Sequence, residues 1–155
     1  MNDRAQPALL NELLNRQYRS LPHYVAECWP WTHRGNAEAR AALERIIQKQ
    51  DEHCAAIADL ITRRGGLPMV EGYPSQFVDR NFLALDYVLE ELVAYQNEAV
   101  QRLEQMRQQC AGDAEAADLV QRILSDEREH SAALQRVASN LNSGAAQQPA
   151  ASAAE

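Results

Sequence analysis

Four long stretches of this chain, separated by a few clusters of proline and glycine, carry apolar residues three and four positions apart. That period fits amphipathic helices, each with one stripe to bury. The spacing predicts helices over about 7–28, 36–64, 79–109 and 113–142. Pro22 interrupts the first, which should kink or lose a backbone hydrogen bond there, and Trp29-Pro30 stops it. Asn36 and Asp113 are N-caps with Glu38 and Glu115 in the first turns, and Arg63-Arg64-Gly65-Gly66 is a cationic end followed by glycine. Residues 144–155, GAAQQPAASAAE, have no period and little to bury, so they are expected to be a disordered tail after one domain over 1–143.

The short links between helices 1 and 2 and between helices 3 and 4 force antiparallel neighbours. The link from Gly65 to Val78 is longer and contains Pro68, Gly72 and Pro74. At about 3.3 Å per residue it can run the length of a helix. The expected architecture is therefore an all-α four-helix bundle, two antiparallel helical hairpins joined by a long crossover.

Each inward stripe breaks once at polar residues. Helix 1 breaks at Gln17, helix 2 at Gln50 and His53, helix 3 at Gln96, and helix 4 at Glu127 and His130. Gln17 and Gln50 are symmetric about His33-Arg34, and Gln96 and Glu127 about Ala111-Gly112, so within each hairpin the breaks fall level. The hairpins can bring all six residues into one layer. A buried polar group left unpaired costs about 1–3 kcal/mol, so such a layer is either mutually satisfied or built for a ligand.

Charge and composition narrow the partners. The net charge is −7 and Lys49 is the only lysine, which argues against a nucleic-acid surface. No apolar run approaches the ~20 residues of a membrane span or forms an export signal. Cys28, Cys54 and Cys110 lie far apart without a CxxC pair, which suits small core residues in a reducing compartment, and the cytoplasm is the expected location. Cys28 and Cys110 lie on inward stripes and are expected to be buried. The aromatics of Trp29-Pro30-Trp31 and Tyr73 to Phe77 are expected to cover bundle ends or to mark an oligomer contact.

A glutamate on each of two helices and Glu-x-x-His on each of the other two is the ligand pattern of ferritin-like di-iron bundles. The chain resembles that superfamily over about residues 9–141. Gln17 with Tyr24 is similar to its first ligand helix, Gln50-Asp51-Glu52-His53 to its second, Gln96 to its third and Glu127-Arg128-Glu129-His130 to its fourth. Ile57 to Pro68 resembles the end of the second helix in bacterioferritins and related stress proteins. The resemblance implies metal ligands at Gln17, Gln50, His53, Gln96, Glu127 and His130, and iron handling or metal-dependent oxidation.

Glutamine, however, stands at three positions where the pattern has glutamate. The layer then offers one negative charge, from Glu127, and neutral amide oxygens are poor ligands for transition metals. Two irons are poorly matched. The charge count leaves one iron or zinc ion held by His53, Glu127 and His130, with Gln17, Gln50 and Gln96 as neighbours, or no metal in a scaffold that acts through assembly or partner binding. A ferroxidase would need a reserve carboxylate such as Glu98. With no further short helix after the fourth, a homodimer is expected rather than a cage.

Overall fold

The structure, a computed structural model, describes residues 4–28, 37–78 and 85–146. Its elements are α1 (Pro7–Tyr18), α2 (Leu21–Cys28), α3 (Ala37–Arg63), the single turn α4 (Ser75–Val78), α5 (Leu85–Gln109) and α6 (Ala114–Ala146). The expected first helix is two. Pro22 has no N–H to offer the carbonyl of residue 18, so α1 stops at Tyr18 and α2 restarts at Leu21, where a proline in the first turn forfeits nothing. The last helix runs to Ala146 rather than to about 142, and the rest of the expected tail, like Trp29-Pro30-Trp31, lies outside the described residues.

The end of α3 is shaped by glycine. Gly65 has a φ of 76°, in the left-handed region, and Gly66 N–H returns to the Ile61 carbonyl at 2.9 Å. A Cβ on Gly66 would meet Ile61 Cγ2 at 3.0 Å, so both positions favour glycine.

Beyond that turn the chain is extended and runs along α1. Asn11 donates to the Leu67 carbonyl and accepts from Met69 N–H, Asn15 donates to the Met69 carbonyl and accepts from Glu71 N–H, and Arg19 donates to the Glu71 carbonyl. As α1 rises from 11 to 19 the crossover rises from 67 to 71, so the two are parallel. Since α1 and α3 are antiparallel hairpin partners, the crossover returns to the level at which α3 began, and α5 starts there. α5 packs on α6, α1 and α2 on α3, α3 on α6 and α2 on α5, closing the bundle.

The core is in two parts. One joins Leu10, Leu14, Ile57, Leu60, Leu103, Met106, Val120 and Ile123. The other joins Leu21, Val25, Leu43, Ile46, Leu89, Leu92, Leu134 and Val137. Along every long helix the polar break falls between them. Cys54 and Cys110 are buried in the first part, whereas Cys28, expected inside, is exposed: the break at Arg19-Ser20 resets the helical phase, so a stripe counted through it points elsewhere.

A buried ion pair fixes the end nearest the α5–α6 turn. Asp113 caps α6 through Ala116 N–H at 3.1 Å, takes Ala5 N–H at 2.7 Å, and receives the Arg64 guanidinium at 2.5 and 2.9 Å. The guanidinium holds the Asp113 carboxyl well below the usual carboxylate range. The pair therefore stabilises fully above about pH 4 and loses its contribution only as acid protonates the folded form. Asp113→Ala is expected to cost about 3 kcal/mol at pH 7 in urea unfolding, removing the α6 cap and leaving the largely buried Arg64 with only the exposed Glu115, 3.1 Å away, as its carboxylate partner.

Candidate functional site

All four long helical segments meet in the layer between the two apolar cores. Gln17, Gln50, His53, Gln96 and Glu127 are buried there and His130 is partly so. Glu127 is the centre. Gln50 Nε2 donates to its Oε1 at 3.1 Å, and Gln96 Nε2 donates to its Oε2 and, at 3.2 Å, to its backbone carbonyl. His130 Nδ1 stands 3.5 Å from Oε1, too long for a well-formed hydrogen bond. Burial alone would raise the Glu127 carboxyl. The neighbouring His130 imidazole and the Gln96 and Gln50 donors outweigh it and hold the group below its ordinary value.

His53 belongs to a second group. Its Nδ1 meets Gln17 Oε1 at 2.8 Å and its Nε2 meets Asp126 Oδ2 at 2.7 Å, with Lys49 4.0 Å from the same carboxylate oxygen. The layer is thus divided. Gln50, Gln96 and His130 gather on Glu127, while His53 faces Gln17 and Asp126.

The hairpin registers explain this division. Gln96 meets Glu127, level with it as expected. In the first hairpin, however, Gln17 pairs with His53 rather than with Gln50, and Ser20 donates to Gln50 Oε1 at 2.7 Å. Both contacts are centred about one and a half residues beyond the expected midpoint, because the non-helical pair Arg19-Ser20 takes more axial length than two helical residues.

Three participants escaped the stripe reading. Ser20 lies in the break, Asp126 is one residue off the inward stripe, and His23 sits on α2, whose phase the break reset. The polar identity of Asp126 beside Glu127 was the only available signal. Ser20 Oγ also lies 2.8 Å from His23 Nδ1, and His23 Nε2 lies 3.0 Å from Asp51 Oδ1. This sequence of hydroxyl, imidazole and carboxylate resembles a nucleophilic array, but Ser20 is 0% exposed and gives its proton to Gln50, so it presents no nucleophile. Ser20→Ala leaves Gln50 Oε1 without its donor and is expected to cost about 1–2 kcal/mol in chemical denaturation.

Glu98, the reserve carboxylate, is exposed, as are Glu52 and Glu129. Burial pushes the Cys54 thiol up to about 12 and raises Cys110 as well, so neither offers a thiolate near neutrality.

The donor set bears directly on metal. Both oxygens of the one inward carboxylate already take amide N–H groups, and both nitrogens of His53 face protein oxygens. Among the described residues no three His, Cys, Asp or Glu side chains are grouped so as to hold an ion. A two-metal centre does not fit this layer. Two buried atoms without partners, Gln96 Oε1 and His130 Nδ1, lie on residues flanking Glu127.

No curated protein matches the chain. Among solved structures, it is similar to BfrA from M. tuberculosis at 25% identity, with a TM-score of 0.71 over 84% of this chain and 80% of that one. A ferritin-like diiron-carboxylate protein from Bacillus anthracis str. Ames is 20% identical, with a TM-score of 0.69 over 85% of this chain and 94% of that one. The dodecameric thioferritin of Bacteroides fragilis, a bacterioferritin-related protein, is 19% identical, with a TM-score of 0.72 over 88% of this chain and 85% of that one. The family profile of the ferritin-like domain matches residues 7–143, the whole of the bundle with its polar layer, and the chain belongs to that family.

Proposed function

We propose that this protein is an iron-handling member of the ferritin-like family whose own layer does not oxidise iron at a two-metal centre, and which serves as a scaffold through assembly. The observation that carries the reading is the pair of amide nitrogens, Gln50 Nε2 and Gln96 Nε2, set on the two oxygens of Glu127. An amide N–H there supplies the positive partner that the carboxylate needs, in the place a cation would take. The buried layer then fixes the register of four helices, a use to which polar groups inside bundles are suited. The iron-handling role and the tendency to assemble rest on likeness to BfrA and to the dodecameric thioferritin. Free cysteines suit a reducing cytoplasm.

A second reading is favoured by the two unpartnered atoms. Turned toward a common point, Gln96 Oε1, His130 Nδ1 and Glu127 would supply three donors to one iron or zinc ion, with His53 outside the set. Elemental analysis separates the two. Wild type and His130→Ala are loaded anaerobically with iron(II), and separately with zinc, then desalted. The scaffold reading expects well under one ion per chain in both. One ion in the wild type alone establishes the single-ion site, and two ions with oxygen uptake would overturn both readings.

A further inference from the structure

Past Tyr73 the chain turns from α1 toward α5, where Phe77 meets Tyr95 with ring centres 5.8 Å apart. A cleft of about 710 Å³ lies between α1, the crossover and α5, the size of a small-molecule pocket. Arg102 holds Glu12 with two bonds of 2.8 Å. Because α5 runs antiparallel to α1, that contact sets Tyr95 level with Arg19, each seven residues away along its helix. The apolar walls from Met69, Pro74, Phe77 and Tyr95 therefore gather at the end of the cleft where Arg19 stands.

Arg19 is held in place before any ligand arrives. Its guanidinium carbon lies over the Tyr18 and Tyr73 rings, 4.6 and 4.9 Å from their centres, and its Nε donates to the Glu71 carbonyl at 2.7 Å. What it has left is the pair of Nη groups, with which no carboxylate of the described residues forms an ion pair. A guanidinium fixed by stacking keeps a planar fork that matches a carboxylate. One turn back, Arg16 shares Glu12 with Arg102, so two guanidiniums draw on one carboxylate. Burial pushes the Tyr73 and Tyr95 phenols up to about 12, which keeps the walls uncharged near neutrality. Glu71 and Glu98 also line the cleft but are exposed, so water screens their charge.

We infer that this cleft binds a small aromatic carboxylate, its charged group on Arg16 and Arg19 and its ring against Met69, Pro74 and Tyr95. The charge is limited to one. Two half-buried guanidiniums favour an anion, while Glu71 and Glu98 at the rim would repel a second negative group. The body is aromatic because a flat ring fills a slot walled by rings and a thioether, and loses little freedom in doing so. No residue of the buried layer takes part, so the inference goes beyond the scaffold reading and does not depend on it.

The test titrates the full chain with phenylpropionate at neutral pH and constant ionic strength, read by calorimetry and by backbone amide shifts in NMR. Phenylpropanamide, which keeps the ring without the charge, and propionate, which keeps the charge without the ring, are run beside it. The variants are Arg19→Gln, Arg16→Gln and, away from the cleft on α6, Arg136→Gln, with circular dichroism to verify the helices. Arg16→Gln guards against a trivial loss, because Arg19 also anchors the crossover and Arg16 does not. The expected results are saturable binding of phenylpropionate with shifts centred on Gly72, Tyr73 and Tyr95, and binding at least about tenfold weaker for both analogues and for Arg19→Gln. Arg16→Gln should bind at least about threefold more weakly and Arg136→Gln as wild type. No saturable binding, the amide bound as tightly as the acid, shifts centred elsewhere, or Arg16→Gln and Arg19→Gln both binding as wild type would overturn the inference.

Discussion

Replacing Gln17, Gln50 and Gln96 together by glutamate is expected to give a protein that takes up two divalent ions per chain from anaerobic iron(II), where the wild type takes fewer than one. The reason is charge and donor type at fixed geometry. The substitutions raise the inward-facing carboxylates from one to four, beside the partly exposed Asp126, and remove the amide N–H groups that now occupy the oxygens of Glu127. Four carboxylates balance two divalent cations, whereas one does not. Without metal the same variant buries four like charges with only His53 and His130 to offset them. Its melting temperature should fall by on the order of 10 °C in chelator and recover on loading. A triple variant equally stable with and without chelator, and equally empty, would show that the layer is set by packing rather than by the amides.

Removing the central carboxylate should also destabilise the bundle, by a comparable amount. Glu127→Ala leaves the donors of Gln50 and Gln96 buried without their acceptor and opens a cavity between the two apolar cores, at an expected cost of about 3–5 kcal/mol in urea unfolding at pH 7. The acid limb carries a second signature. Despite the opposing effect of burial, the Glu127 carboxyl is held below its ordinary value by His130, Gln96 and Gln50. Its contribution is therefore present above the unfolded pKa of about 4 and lost as pH falls through the folded one. Stability of Glu127→Ala should vary less with pH in that range than that of the wild type. An unchanged acid limb would mean that Glu127 is not the ionised hub of the layer.

The scale of these effects follows from where the layer sits. It interrupts an otherwise apolar interior, so its hydrogen bonds act in a medium of low polarity and each polar atom left unpaired there is costly. The ferritin-like backbone is kept while the charge that would draw two metals is not. The same helices are free to hold register.

Much of this was legible in the chain. The four helical segments, the antiparallel hairpins and the polar break in every stripe follow from local pattern, because a period of three and four and a run of glycine or proline act within a few residues. The level meeting of Gln96 with Glu127 needed only a short turn between two uninterrupted helices. The first hairpin was less readable. Pro22 announced a disturbance, but whether the helix would bend or stop depended on how its two halves pack, and stopping moved Ser20 and His23 into the network and Cys28 to the surface. Asp126 likewise could not be assigned from its stripe, since a side chain one position off the inward line reaches His53 only once α3 and α6 are set side by side. Nor could the sequence say which atom of each glutamine faces inward. Sequence determined which residues lie at the middle of the bundle, because helical period and turn length are local. Tertiary structure alone decided that Gln50 and Gln96 meet Glu127 with their N–H groups while His53 goes to Gln17 and Asp126, because hydrogen-bond direction is settled between helices that touch only after the bundle has closed.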